Sequence, residues 1–130
     1  MSAVDPHIAA LLDAGPVLPI WSPRPGDDAV GVAGALLEGG IASLEVPLRP
    51  ACALDAVATI ARAAPQMRLG VGTVLTRQQL AEARAAGAVF AVSPGATDAL
   101  LAAAAELAIP LLPGVATPSD VMRALAHGFS

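Results

Sequence analysis

The sequence predicts an α/β fold in which parallel strands alternate with the helices that cover them. Three observations carry this expectation. Short apolar runs recur with starts roughly 20 to 27 residues apart, a short strand–helix period. The stretches between them are alanine-rich and long enough for helices. Several runs are apolar on both faces and flanked by Gly or Pro, as in a parallel sheet covered by helices.

Each element follows in order. A leading helix is expected near Pro6–Ala14, stopped by Gly15-Pro16. Val17 to Trp21 is the first strand, and a helix near Asp27–Glu38 ends at Gly39-Gly40. Ala42 to Leu48 is the second strand, followed by a helix near Ala51–Ala64. Leu69 to Val74 is the third. Thr76 with Gln79 reads as a capping box opening a helix at Arg77–Ala86, which Gly87 ends. Val89 to Val92 is the fourth strand, before a Thr97-capped helix at Asp98–Leu107 with an acidic first turn. Ile109 to Leu112 is the fifth. Thr117-Pro118-Ser119-Asp120 then places a cap, a proline at the first helical position and an acid ahead of Pro118–Ala126, with Gly128 just beyond.

Ser93-Pro94-Gly95-Ala96-Thr97-Asp98 and Pro113-Gly114-Val115-Ala116-Thr117-Pro118 echo one another. Each is a Pro-Gly turn that leaves a strand and reaches a Thr-capped helix. Two similar turns meeting the same geometry explain this as well as a shared origin does.

Composition excludes several classes. The 130 residues suit one domain or part of one, 1–130 being taken as a single domain, and the 55% apolar content fits alanine-rich helices and buried strands. The most apolar stretch, Ala99 to Ala116, is broken by Glu106, Pro110, Pro113 and Gly114, so it falls short of the about 20 apolar residues a membrane helix needs. Asp5 and His7 sit where a signal peptide would be apolar, and a cytoplasmic location is expected. A net charge of −4, no basic cluster and only Trp21, Phe90 and Phe129 as aromatics argue against nucleic acid. Cys52 is the single cysteine, so no internal disulfide forms, and it reads as a small residue at a helix start. His7 and His127 lie away from the strand ends, and no metal is expected.

A doubly wound open sheet is complete with five strands, whereas a (β/α)8 barrel requires eight. Strand alternation puts Leu44, Val46 and Leu48 on one face and Ser43, Glu45, Pro47 and Arg49 on the other. An acid and a base on one strand face are costly to bury without purpose. In a barrel that face looks inward, and catalytic groups gather at its carboxyl end, so the barrel is preferred.

Two readings of Glu45 and Arg49 stand side by side: a proton-transfer carboxylate beside a guanidinium that grips an anionic substrate, or a structural ion pair closing the strand end. Gly70 and Gly72 in a strand interior signal close approach of a ligand or of another backbone, or simply tight packing, and Thr73 offers a hydroxyl at that strand's end. The segment is no dinucleotide signature, since Leu75 stands where a third glycine is needed. Pro94-Gly95 and Pro113-Gly114 are rigid strand exits, ordinary turns unless a site wall needs them.

Taken together, Gly15-Pro16-Val17-Leu18-Pro19-Ile20, Leu44-Glu45-Val46-Pro47-Leu48-Arg49, Gly70-Val71-Gly72-Thr73-Val74-Leu75, Val92-Ser93-Pro94-Gly95 and Ile109-Pro110-Leu111-Leu112-Pro113-Gly114 resemble the 2-keto-3-deoxy-6-phosphogluconate (KDPG)/4-hydroxy-2-oxoglutarate (KHG) aldolases. The resemblance runs from about Pro6 to the last residue. It implies a (β/α)8 TIM barrel, here a leading helix plus about five βα units, the N-terminal part of the fold. It implies a homotrimer without metal or other cofactor, which cleaves KDPG to pyruvate and glyceraldehyde 3-phosphate in the Entner–Doudoroff pathway. It gives Glu45 as the acid/base carboxylate acting through a water. It gives Arg49 and Thr73 as holders of the pyruvoyl carboxylate, and Pro94 and Pro113 as pocket walls.

The family's reaction runs through an imine on a lysine of the sixth strand. This chain has no lysine: its seven basic residues are Arg24, Arg49, Arg62, Arg68, Arg77, Arg84 and Arg123. The family's spacing places that strand just after Ser130, so the 130 residues alone are expected to lack turnover. Two other readings remain, a non-catalytic half-barrel that binds or assembles, and a complete five-stranded domain of another function. A first strand in the centre of the sheet would favour the last.

Overall fold

The structure is a computed structural model that describes residues 6–13 and 15–129. Ala14, the side chain of His7 and the chain's own α-amino group lie outside the described residues. In chain order the elements are α1 (Pro6–Asp13), α2 (Ala29–Glu38), β1 (Ser43–Pro47), α3 (Ala53–Ala63), β2 (Arg68–Gly72), α4 (Arg77–Ala86), β3 (Phe90–Ser93), α5 (Asp98–Glu106), β4 (Leu111–Pro113) and α6 (Pro118–Ala126).

The four strands form one parallel sheet in the order β1-β2-β3-β4. The expected first strand is reduced to a single parallel bridge between Ile20 and Glu45 on the free side of β1. There the Glu45 N–H donates to the Pro19 carbonyl and the Trp21 N–H to the Glu45 carbonyl, both at 2.9 Å. Pro16, Pro19 and Pro23 have no N–H to donate, so the run Val17 to Trp21 cannot extend this bridge into a ladder. The first segment therefore lies at the edge, and strand order follows chain order without the reversal of a doubly wound sheet. This is the progression of a (β/α)8 barrel.

One core lies between the sheet and its helices. Leu44, Val46, Leu69, Val71, Ala91 and Leu111 are buried with Val57 and Ile60 of α3, Leu80 of α4 and Leu101 of α5. Burying each such Leu, Ile or Val side chain contributes about 1.5–3 kcal/mol. Small alanines at the contacts, Ala53, Ala83 and Ala104 among them, let neighbouring helices approach closely. Consecutive helices α2 to α5 pack on one another in turn.

The caps form where the sequence places them. Thr76 and Gln79 make a reciprocal capping box at α4, and Thr117 and Asp120 make another at α6, with Pro118 in its first turn. The Thr97 hydroxyl accepts from the Leu100 N–H. The Thr117 hydroxyl, and then the Ala116 and Thr117 N–H groups, hold the Asp120 carboxyl below the usual carboxylate range. Gly87 ends α4 in the left-handed conformation at φ 102°. Cys52 is the N-cap residue of α3, half-buried, with its thiol 3.6 Å from the Pro23 carbonyl. His127 caps the carboxyl end of α6 and lies 3.0 Å from Asp98. Among the described residues no helix is long and apolar enough to cross a membrane.

Candidate active site

The face of the sheet turned away from the helices carries the polar strand residues. Register places Glu45 beside Gly70 and Gly70 beside Phe90, with Pro47 beside Gly72 one layer further along. Glu45 is 8% exposed and Phe90 2%. A Cβ placed on Gly72 would overlap the Glu45 carboxylate oxygen Oε1, and one on Gly70 would overlap the Phe90 ring. The strand glycines thus follow the tight-packing reading, since the groups that fill their space are neighbouring side chains rather than another backbone. Phe90 packs on this face beside the candidate site, a placement that sequence reasoning missed. Its place beside Gly70 depends on register, which the sequence does not display.

Burial raises the Glu45 carboxyl above its ordinary value by penalising the charged form. No cation among the described residues offsets this. Among the described residues the ion pairs are Arg77 with Glu106, Arg123 with Asp98 and Asp120, and His127 with Asp98. Arg49 is exposed, two residues past the end of β1, and makes no ion pair with Glu45. The structural ion pair considered for these two residues is therefore not formed.

The carboxyl ends of the strands are stitched into a row. The Leu48 N–H donates to the Gly72 carbonyl at 2.9 Å, which brings the chain positions just before Arg49 and Thr73 together. The Val74 N–H donates to the Val92 carbonyl at 3.1 Å, and the Gly114 N–H to the Ser93 carbonyl at 2.8 Å. Arg49, Thr73, Pro94 and Pro113 therefore stand at four successive strand ends. Thr73 is half-buried and adopts φ 58°. A β-branched residue in the left-handed region is a true outlier, a strain that structures keep where geometry matters. Pro94 is exposed and Pro113 half-buried. A Cβ on Gly114 would lie 2.7 Å from the Ser93 carbonyl oxygen, so the two Pro-Gly turns fit against each other without room for a side chain.

A large cavity lies mostly elsewhere. It holds about 890 Å³ between the edge of β4, α1 and α6, and is lined by Ile8, Ile109, Pro110, Leu125 and Phe129 among others. Of the five site candidates it includes only Pro113. Its walls are mostly apolar, and the one ionisable side chain among them, His127, lies 3.0 Å from Asp98, whereas the buried carboxyl of Glu45 belongs to the row of strand ends. Among the described residues no group of three or more His, Cys, Asp or Glu side chains is placed to hold a metal.

Comparison with known proteins decides the family. The profile described as KDPG and KHG aldolase matches residues 8–130. The chain belongs to this aldolase family. It is 48% identical over 119 residues to the KHG/KDPG aldolase of Escherichia coli, covering 92% of this chain and 56% of that protein. It is 48% identical over 118 residues to the 2-dehydro-3-deoxy-phosphogluconate aldolase of Dickeya dadantii, covering 91% and 55%. The chain thus spans about half the length of the curated relatives it matches. The fold superimposes on the KDPG aldolase of Legionella pneumophila with a TM-score of 0.89 and 41% identity, over 97% of this chain and 60% of that one. In that crystal structure pyruvate is captured at low pH as a covalent carbinolamine intermediate. The KDPG aldolase of Zymomonas mobilis with 3-phosphoglycerate gives a TM-score of 0.88 at 41% identity, over 94% and 58%.

For an aldolase of this family the arrangement has clear chemical capacities. A buried carboxyl that protonates readily, with no cation to lock its charge, suits both giving and taking a proton. An unpaired guanidinium at the adjacent strand end suits a carboxylate ligand.

Proposed function

We propose that these residues form the proton-transfer and carboxylate-binding part of a Schiff-base aldolase. Its substrates are KDPG, cleaved to pyruvate and glyceraldehyde 3-phosphate, and 4-hydroxy-2-oxoglutarate, cleaved to pyruvate and glyoxylate. The observation that carries this reading is the buried, cation-free carboxyl of Glu45 on the inner sheet face, one layer below the strand ends that bear Arg49 and Thr73.

The reaction needs a primary amine that adds to the substrate ketone and loses water to form an imine. The sequence holds no lysine, so the reading places that amine outside these 130 residues. Glu45 moves the protons, through a water. It protonates the departing hydroxyl of the carbinolamine, accepts the proton of the C4 hydroxyl as the C3–C4 bond breaks, returns a proton to C3 of the enamine, and regains one from the water that hydrolyses the resulting imine to free pyruvate and the amine. The electron pair of the broken bond enters the imine to give that enamine. Arg49 and Thr73 hold the pyruvoyl carboxylate, and Pro94 and Pro113 wall the pocket. The unit acts as a single domain in the cytoplasm, within a homotrimer, without metal or cofactor.

Borohydride trapping with pyruvate, read by intact mass, tests this. The chain alone is expected to give no adduct. The chain completed by the remaining part of the Escherichia coli relative is expected to give one pyruvate adduct, on a lysine of the added part. Glu45→Gln in the completed protein is expected to lower turnover about 10²–10⁴-fold. Stoichiometric labelling of the 130 residues alone, or full turnover with Glu45→Gln, would refute the reading.

A second reading, a half-barrel that acts by assembly, is favoured by the apolar cavity beside β4 and by Ile20, which is 65% exposed at the other sheet edge. Light scattering separates the two: a defined oligomer of the chain alone supports assembly, and a monomer counts against it.

A further inference from the structure

We infer that Gly72 is a positioning residue for Glu45: the space left by its missing side chain holds the Glu45 carboxylate. The catalytic meaning of that position rests on the aldolase reading, whereas the position itself does not. A Cβ built on Gly72 overlaps Glu45 Oε1 and lies 2.8 Å from Cδ and 3.2 Å from Cγ. The end of the Glu45 side chain therefore lies across the backbone of β2 at this residue.

Backbone conformation does not ask for glycine here. Gly72 is the last residue of β2 and is not among the residues of positive φ. A strand glycine is less favourable than alanine, because it loses more chain freedom on folding. What recovers that cost at Gly72 is room for a neighbour's carboxylate.

The same arrangement one layer below gives the cradle its direction. A Cβ on Gly70 would overlap the Cε2 and Cζ atoms of Phe90, a side chain that is 2% exposed. Gly70 and Gly72 share one face of β2 and lie about 7 Å apart. Gly70 is the register partner of Glu45, so its open space would otherwise be the nearest one. Phe90 fills it. Glu45 is left with the space over Gly72, one residue before Thr73 and next to the strand ends. Its carboxylate is thus held at the carboxyl edge of the sheet in surroundings dry enough to favour the proton.

Carbon-13 NMR titration of the Glu45 carboxyl in the full chain tests this, in the native sequence and in Gly72→Ala and Phe90→Leu. Gly72→Ala is expected to expel the carboxylate toward solvent and move its titration midpoint down toward the ordinary carboxylate range. Phe90→Leu is expected to leave it over Gly72 with a smaller shift in the same direction. An unchanged Glu45 midpoint in folded Gly72→Ala overturns the inference. If Gly72→Ala does not fold, the double variant Glu45→Ala/Gly72→Ala decides. Cut back to its Cβ, residue 45 keeps none of the three atoms that meet the added methyl, so the double variant is expected to regain the fold, and one that stays unfolded overturns the inference. A completed protein whose turnover ignores Glu45 would refute the aldolase reading and leave the titration result standing.

Discussion

The Glu45 carboxylate occupies the volume that a side chain at Gly72 would fill. An acid on one strand and a glycine on the next are thereby a single device, although 27 positions separate them in the chain.

Glu45 should make the fold less stable as pH rises. Burial raises its carboxyl above the ordinary value. Between the ordinary and the raised value the folded state keeps a proton that the unfolded state has lost, so stability falls through that window. Glu45→Gln, which cannot ionise, is therefore expected to be more stable than the native chain at pH 7.5. The difference should vanish below about pH 4, where both states of the native chain are protonated. Urea midpoints measured across this range check the sign.

Thr73 should show strain traded for function. Its φ of 58° costs a β-branched residue of order 1–3 kcal/mol, while glycine there costs about 0.5–1 kcal/mol in chain entropy. Thr73→Gly is expected to stabilise the fold by roughly 1 kcal/mol and to weaken pyruvate binding in the completed protein. Thr73→Val keeps the strain and loses the hydroxyl, so it should weaken binding without the gain. A Thr73→Gly variant that melts lower than the native chain would contradict this.

The strand exits predict a contrast between two glycines. At Gly114 an added methyl meets backbone, the Ser93 carbonyl oxygen at 2.7 Å, whereas at Gly95 it meets nothing within 4 Å. Backbone cannot swing aside as a side chain does. Gly114→Ala is expected to cost about 1–3 kcal/mol. Gly95→Ala should stay within about 0.5 kcal/mol. Equal urea midpoints for the two variants would show that the paired turns are not tightly fitted.

Thr76 accepts the Gln79 N–H at 3.2 Å and completes a capping box whose glutamine oxygen takes the Leu75 and Thr76 N–H groups. Thr76→Ala should cost about 1 kcal/mol in chemical denaturation. Gln79→Ala should show a loss that is not additive with it. Additive losses would mean the two halves of the box act independently.

Helices were legible where the chain carries its own punctuation. Arg77–Ala86 and Pro118–Ala126 form with the bounds that Thr76, Gly87, Thr117 and Pro118 mark. The run Val17 to Trp21 reads as a strand because its hydrophobicity is strand-like, while Pro19 within it and Pro16 and Pro23 on either side remove donors that a ladder needs. Glu45 and Arg49 share a face by alternation, but alternation lapses past Pro47, where β1 ends, and the two do not pair. Phe90 stayed hidden because only the register of β2 against β3 brings it to Gly70.

The hydrogen bond from the Trp21 N–H to the Glu45 carbonyl has a spectroscopic consequence. Trp21 is the single tryptophan and the chain has no tyrosine. Near-ultraviolet emission therefore reports from one residue, tied through its backbone to the strand that carries the acid. Fluorescence follows the Ile20–Glu45 junction while circular dichroism follows the helices, so separation of the two melting curves would reveal whether that junction loosens before the rest of the fold.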